Sequence, residues 1–488
     1  MHIANSTLLK FSWWSVKKTT YILWLMFLGS VLMITLAASF YIKSLPALDM
    51  WHTTVLKNEF TIDSKVNTFD EYLKLEEKLF KELDTEIIAK LPHSKQSKIN
   101  RYTKNSLSNP TRWSQNWNRS FEMPVNNPKR AILLIHGMSD SPYSLHTQAQ
   151  YLHDKGVYVL GIRLPGHGTI PSGLIHATWQ DMSAVVKMAM QHLKQKVGKR
   201  PIQIMGYSTG APLALHYTFT ALNDHALPLP EKLIFYSPAI GVSSAAKFAV
   251  LQKWAGVLLQ SDKLAWNSVL PEYDPFKYGS FSINAADQVY RLCNEVQKEF
   301  DGLKEEQKNH FPPILSFASI VDTTISIPPI ISDLYQRLPK GDNTLIMYDI
   351  NNKFSQNLLI QDRILNAIKV LRHTPTHTNY TFELITDLNA SEGKVQVISK
   401  YKDIQDLNIS WPLGIYSLSH VALPFSKNDP LYGNSHAPKS PGIALGHMAG
   451  YGEKMVLQIS PSALLRQRWN PFHNYSKKRV LKFMDLSK

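Results

Sequence analysis

The sequence predicts an α/β protein: a mostly parallel sheet with helices on both faces, a helical cap insertion and one N-terminal transmembrane helix. Three observations carry that prediction. Short apolar runs alternate with helical patterns from Ala131 onward, an uncharged apolar stretch fills Tyr21 to Ile42, and a Gly-x-Ser-x-Gly motif links one apolar run to the next helix. Alternation of this kind is the pattern of βαβ units, whose strands are buried on both faces.

Size and composition set the frame. At 488 residues and 44% hydrophobic, the chain suffices for one large core with additions, because single cores stop growing near ~250 to 300 residues. The net charge of +15 arises from 53 Lys and Arg against 38 Asp and Glu, spread along the chain rather than blocked. With no nucleic-acid motif present, the basic surface points to an anionic membrane or substrate, and nucleic acid is not an expected partner. The single cysteine, Cys293, excludes an internal disulfide framework and a Cys-rich metal site.

The stretch Tyr21 to Ile42 is about 33 Å long as a helix, enough to cross a hydrocarbon core of ~30 Å. A cleaved signal has an apolar region of only ~7 to 15 residues, so a retained anchor is expected, with cleavage near Ala37, Ala38 and Ser39 as the alternative. Lys10, Lys17 and Lys18 precede the span and Lys43 alone closely follows it. The positive-inside rule then leaves the tail 1–20 in the cytosol and the rest of the chain on the non-cytoplasmic side, the periplasmic face of the inner membrane if the source is bacterial. Beyond the span, Thr68 and Glu71 form a capping-box pattern before Phe69, Tyr72, Leu73, Leu79, Phe80, Leu83 and Ile87, an amphipathic helix expected to pack on the domain. The RWSQNWNRSFEM segment has room for one or two edge strands.

The runs AILLIHG, VYVLGIRL, IQIMGYS, KLIFYS and ILSFASI are read as sheet strands, with helices near Ser144 to Lys155, Trp179 to Gln195 and Thr209 to Leu222. Residues 240–310 are helical in pattern and rich in large apolar side chains, and are read as the cap over the sheet's carboxyl edge. Residues 351–412 are a second insertion in which YTFELITD and KVQVISKY flank a turn-like Asn389 to Gly393, a hairpin pattern.

Gly206-Tyr207-Ser208-Thr209-Gly210 follows the run IQIM and opens a helix. In that context the motif makes a sharp strand-to-helix turn that lifts the Ser208 oxygen clear of the sheet, while the glycines leave room for crowded backbones. Acyl transfer also requires donors for the developing oxyanion. The Thr209 N–H at the helix start is one, and Met138 N–H in the loop His136 to Asp140 is the other.

The segments LLIHGMSDSPYSL, GIRLPGHGT and IMGYSTGAPLAL resemble the α/β-hydrolase superfamily, nearest to the group of monoacylglycerol lipases and serine aminopeptidases. The resemblance is specific over Ala131 to Ser237, thinner over Pro312 to Asp322 and around His420, and absent from the anchor and second insertion. It implies an α/β-hydrolase fold and a triad in the order Ser, acid, His. Asp322, ending ILSFASIVD, fits the acid, with Asp349 after LIMY as rival. His420, directly after IYSLS, fits the base, with His436 and His447 as rivals. His136 precedes the nucleophile and is read as structural. Arg163 opens a turn that the family commonly opens with Asp, and His167 is read as organising it.

The expected layout is thus a tail 1–20, an anchor 21–42, an amphipathic helix and linker 43–100, a hydrolase domain 101–425 and a C-terminal extension 426–488 packed on that domain. No zincin spacing, dinucleotide fingerprint or Walker motif is present, so no metal or cofactor is expected. The expected reaction is hydrolysis of a small-molecule or lipid-like carboxylic ester through an acyl-enzyme on Ser208. Two alternatives remain: an aminopeptidase using Glu272, Asp274 or Asp287 for the substrate amine, or a non-catalytic interaction protein of the same fold.

Overall fold

The computed structural model describes residues 3–241, 261–351, 379–388, 393–399, 404–412, 416–446, 460 and 466–487, without side chains for 3–16. Helix α1 (Ile3–Ser44) contains the predicted anchor and begins well before it. From Lys17 to Ser44 it is long and apolar enough to cross a membrane, and none of its most apolar window is buried by the rest of the chain. Helix α2 (Phe69–Leu83) starts at the predicted box: Thr68 Oγ1 accepts from Glu71 N–H, and Glu71 accepts from the Thr68 amide.

Ten strands form one sheet. In chain order these are β1 (Phe121–Met123), β2 (Arg130–Ile135), β3 (Val157–Ile162), β4 (Ile202–Tyr207), β5 (Leu233–Tyr236), β8 (Ile314–Ser319), β9 (Thr344–Tyr348), β10 (Thr381–Asp387), β11 (Lys394–Ile398) and β12 (Ile404–Ser410). Two short strands, β6 (Trp266–Ser268) and β7 (Phe281–Ser282), pair separately. The sheet order is β1-β3-β2-β4-β5-β8-β9-β10-β11-β12, parallel from β3 to β10 and antiparallel at both margins. The predicted edge segment supplies a single strand, β1.

Strand β2 pairs with β3 on one side and β4 on the other. The chain therefore reverses its direction of winding there, and in open α/β sheets ligands bind outside the carboxyl ends of the strands at such a point. The loops leaving β2 and β4 carry His136 to Asp140 and Ser208.

Both faces of the sheet are covered, as its unbroken apolar runs require. On one face Leu133 and Ile135 pack with Val185, Ala189 and Leu193 of α4 (Trp179–Val197), Leu213 of α5 (Gly210–Asn223), and Leu292 and Val296 of α6 (Ile283–Asp301). On the other, Ile132 and Leu134 pack with Ala149 and Leu152 of α3 (His146–His153) and with Val480 and Leu481 of α7 (His473–Phe483). The C-terminal extension thus contributes a sheet-covering helix.

Two sequence readings change here. The segment read as a cap includes α6, whose apolar stripe joins the core with α4 and α5 rather than roofing the sheet edge. Of the other apolar residues assigned to the cap, Trp266 is buried against His52, and Phe248 to Leu259 lie outside the described residues. The second insertion does form the β10–β11 antiparallel pair, but β10 also pairs in parallel with β9. The segment extends the main sheet instead of standing apart from it.

Helix α2 is tied to the domain by an ion cluster at Arg163, itself only 1% exposed. Its guanidinium forks onto both Glu59 oxygens at 3.0 Å and donates through Nε to Glu76 of α2 at 3.1 Å. Burial pushes the Glu76 carboxyl up, against the pull of Arg163. Arg163→Met leaves two carboxylates without their counter-charge, and loss of one partner from a buried cluster costs about 3 to 5 kcal/mol. A marked fall in Tm by scanning calorimetry is expected. An unchanged Tm would show that the cluster does not hold α2.

Candidate active site

Ser208 occupies the sharp turn between β4 and α5. Its φ is +52°, a left-handed conformation uncommon for a side chain other than Gly or Asn and found where surrounding structure enforces it. The flanking glycines are required by close approach: a Cβ on Gly206 would lie 2.5 Å from the Gly210 backbone, and one on Gly210 would collide with the Ile135 carbonyl. The Ser208 amide donates to Tyr236 O at 2.9 Å, and its carbonyl accepts from the Ala211 and Ala239 amides.

The loop after β2 runs beside this turn, since a Cβ on Gly137 would meet Ser208 Cβ at 3.0 Å. His136 holds it there. Its Nε2 accepts from Leu164 N–H at 3.0 Å, so the proton resides on Nδ1, which donates to Gly137 O at 2.8 Å. Burial and the neighbouring His167 keep His136 far below the usual histidine range, so it is neutral and committed to structure. His167 donates from Nδ1 to Pro165 O at 2.9 Å within its own turn, and burial pushes it down to about 3. Both histidines occupy the organising positions expected of them.

Asp322 follows β8, and His420 opens a short 3-10 turn, His420–Ala422. The two meet: His420 Nδ1 donates to Asp322 Oδ2 at 2.8 Å, with the His420 side chain 5% exposed and that of Asp322 fully buried. The other carboxylate oxygen accepts from the Thr324 and Ile325 amides at 2.7 and 3.1 Å. Burial opposes ionisation, but the adjacent His420 ring and these amides together hold the Asp322 carboxyl below its ordinary range. The His420 ring lies over Tyr207, the residue preceding Ser208, with centroids 5.4 Å apart.

Among the described residues of IYSLS, Tyr416 to Ser419, there is no strand, contrary to the sequence reading. Only an isolated bridge joins Ser417 to Ile350. The loop is fixed instead by the Ser419 hydroxyl on Gln467 O and by Gln148 Nε2 on Pro424 O.

The rivals are placed elsewhere. Asp349 is fully buried, with its carboxylate on Ile350 N–H and the Thr386 hydroxyl. His436 lies in an exposed turn, and His447 lies outside the described residues. The cap acids are occupied too. Glu272 accepts from the Gly279 and Ser280 amides, Asp274 from the Phe276 and Lys277 amides and Tyr432 hydroxyl, and Asp287 pairs with Arg291.

Residues 126–350 match the family model described as serine aminopeptidase, S33. The chain has the α/β-hydrolase fold, a mostly parallel sheet with helices on both faces. Solved structures similar to this chain include a monoacylglycerol lipase from Paleococcus ferrophilus, 18% identical over 47% of this chain and 88% of that one, TM-score 0.36. A soluble variant of monoglyceride lipase from Saccharomyces cerevisiae is 16% identical over 51% and 87%, TM-score 0.37. Est1E from Butyrivibrio proteoclasticus, with ferulic acid bound, is 17% identical over 47% and 85%, TM-score 0.33. No curated protein matches the chain.

Sequence reasoning missed several neighbours of the site. Lys277 pairs with Asp140 at 2.7 Å, and Arg466 donates to Thr324 Oγ1 at 2.7 Å. Both contacts join segments more than a hundred residues apart, so no local pattern announces them. Among the described residues, no cluster of His, Cys, Asp or Glu is arranged to hold a metal ion.

Proposed function

We propose that this α/β hydrolase cleaves carboxylic esters through an acyl-enzyme on Ser208, with His420 as general base and Asp322 as its orienting acid. The observation that carries the reading is the 2.8 Å His420–Asp322 hydrogen bond beside the Ser208 turn. With Nδ1–H held by the carboxylate, Nε2 is the nitrogen left to take a proton, which is the tautomer a serine nucleophile needs.

The reaction then runs in two halves. His420 Nε2 accepts the Ser208 hydroxyl proton as Oγ adds to the ester carbonyl, and the tetrahedral oxyanion is met by the Met138 and Thr209 amides. Among the described residues neither amide has another acceptor. Collapse of the intermediate expels the alcohol, which takes the proton from His420. Water, activated by the same imidazole, then releases the acid.

An aminopeptidase needs a free acidic group for the substrate amine. The contacts of Glu272, Asp274 and Asp287 favour the ester reading, because burial also pushes the carboxyls of Glu272 and Asp274 up. The anchor places the reaction at a membrane, and the lysines before Tyr21 put the hydrolase on the non-cytoplasmic side, periplasmic if the source is bacterial.

The substrate class is decided by comparing p-nitrophenyl esters with aminoacyl amides at equal enzyme concentration. Each added acyl methylene that is buried gains about 0.8 kcal/mol, nearly fourfold in kcat/KM. The ester series is therefore expected to climb from acetate to a medium chain, while amides stay poor with or without a blocked amine. A flat ester series with amine-dependent amide cleavage would replace this reading with the peptidase.

A further inference from the structure

A cavity of about 150 Å³ adjoins the His420 turn. Val421, the neighbour of His420, and Asp140, from the loop beside Ser208, form part of its wall with Tyr273, Lys277, Arg466 and Arg468. Its volume falls well short of the ~300 to 1,000 Å³ that enclose a whole drug-sized ligand, so it suits one chemical group of a larger substrate.

The charges on this wall do not cancel. Lys277 and Asp140 neutralise each other at 2.7 Å. Asp274, also on the wall, is committed to two amides and the Tyr432 hydroxyl; burial pushes its carboxyl up, against the pull of those bonds and of Arg468 and Arg101. The two arginines are left over. Arg466 donates to the Thr324 hydroxyl and Arg468 to the Tyr273 hydroxyl at 3.2 Å; among the described residues neither forms a close ion pair with a carboxylate, and Asp274 acts on Arg468 only at longer range. A guanidinium carries five N–H donors in a fork that matches an oxyanion, so each retains donors for one. The charge of Arg466 also reaches Tyr207, next to the nucleophile, alongside those of Asp140 and Asp322.

The same wall is fastened to the end of the anchor. Lys263 Nζ donates to Leu45 O at 2.8 Å, just past α1, and His52 bonds the Ser280 hydroxyl at 3.0 Å. Ser280 in turn holds Leu270, and both Leu270 and Gly279 line the cavity. The cavity is thereby held close to the point where the chain leaves α1.

We infer that this cavity is a subsite for the oxyanion group of an amphiphilic ester, with Arg466 and Arg468 as its counter-charges. The preferred substrates are then acyl esters that carry a phosphate or carboxylate at a membrane surface. The subsite builds on the ester reading for its catalytic role, but its binding can be measured independently.

The test uses the full chain in neutral-lipid nanodiscs, in two arms. In the first, Ser208→Ala protein is titrated calorimetrically with dodecyl phosphate, dodecanoate and dodecyl glycerol ether. The phosphate or the carboxylate is expected to bind at least tenfold more tightly than the neutral ether, the scale of one charge-assisted hydrogen bond. Which anion leads identifies the source. Adding Arg466→Gln or Arg468→Gln should reduce that preference tenfold, whereas Arg466→Lys retains most of it. In the second arm, kcat/KM is compared for lauroyl lysophosphatidic acid, lauroylglycerol hemisuccinate and lauroylglycerol. The anionic-to-neutral ratio should exceed ten and fall at least tenfold in either Gln variant. A ratio near one in the first arm, or a preference indifferent to both arginines, overturns the subsite. Anion preference that depends on the arginines, with no ester turned over, supports the subsite and overturns the ester reading instead.

Discussion

Replacing Ser208 with alanine is expected to lower kcat for ester hydrolysis by on the order of 10⁴ to 10⁶, down to what binding and the oxyanion amides supply alone. In the proposed mechanism Ser208 alone forms the acyl-enzyme, so the loss is expected to fall on kcat, with KM nearly constant. Folding should survive, because the substitution removes one oxygen and keeps a Cβ on the same +52° backbone. Steady-state kinetics with a medium-chain p-nitrophenyl ester, checked against the Tm, separates these effects. A variant with residual activity within tenfold of the parent would mean that another group is the nucleophile.

Asp322→Asn is expected to cost about 10⁴ in kcat. The carboxylate accepts from His420 Nδ1–H on one oxygen and from two amides on the other. An asparagine that keeps the amide bonds with its carbonyl presents an NH₂ to the imidazole. Nδ1 must then become the acceptor, which puts the proton on Nε2, where it blocks removal of the serine proton. The same substitution at Asp349, whose carboxylate serves Ile350 and Thr386, should leave catalysis comparatively intact and register mainly in stability. If Asp349→Asn costs more kcat than Asp322→Asn, the acid has been misassigned.

What the sequence revealed and concealed follows from the range of the forces involved. The strands β2, β4 and β8 were legible because burial on both faces leaves unbroken apolar runs, and Ser208 because its turn needs glycine at fixed offsets. Asp322 was chosen for its position at a strand end, and it does follow β8. The α6 stripe was legible as a helical face, but periodicity does not say which surface a face meets, and Val289, Leu292 and Val296 join the core shared with α4 and α5. The β10–β11 pair was visible through its alternation and turn, whereas its junction with β9 depends on a partner outside the hairpin. His420 was chosen because it directly follows the strand-like run IYSLS, and of the described residues Tyr416 to Ser419 only Ser417 takes part in a β-bridge. The Arg163 cluster had only a negative signal, a basic residue where the family commonly has Asp. Its partners Glu59 and Glu76 come from the linker after the anchor, and long-range ion pairs leave no periodic trace.

The most direct test of the central claim is to treat the native protein with a fluorophosphonate, digest it and locate the adduct by mass spectrometry. A single stoichiometric adduct on Ser208, lost in His420→Ala, is the predicted result. An adduct on another serine, or no adduct on enzyme that still hydrolyses esters, would contradict the assignment of Ser208 as nucleophile.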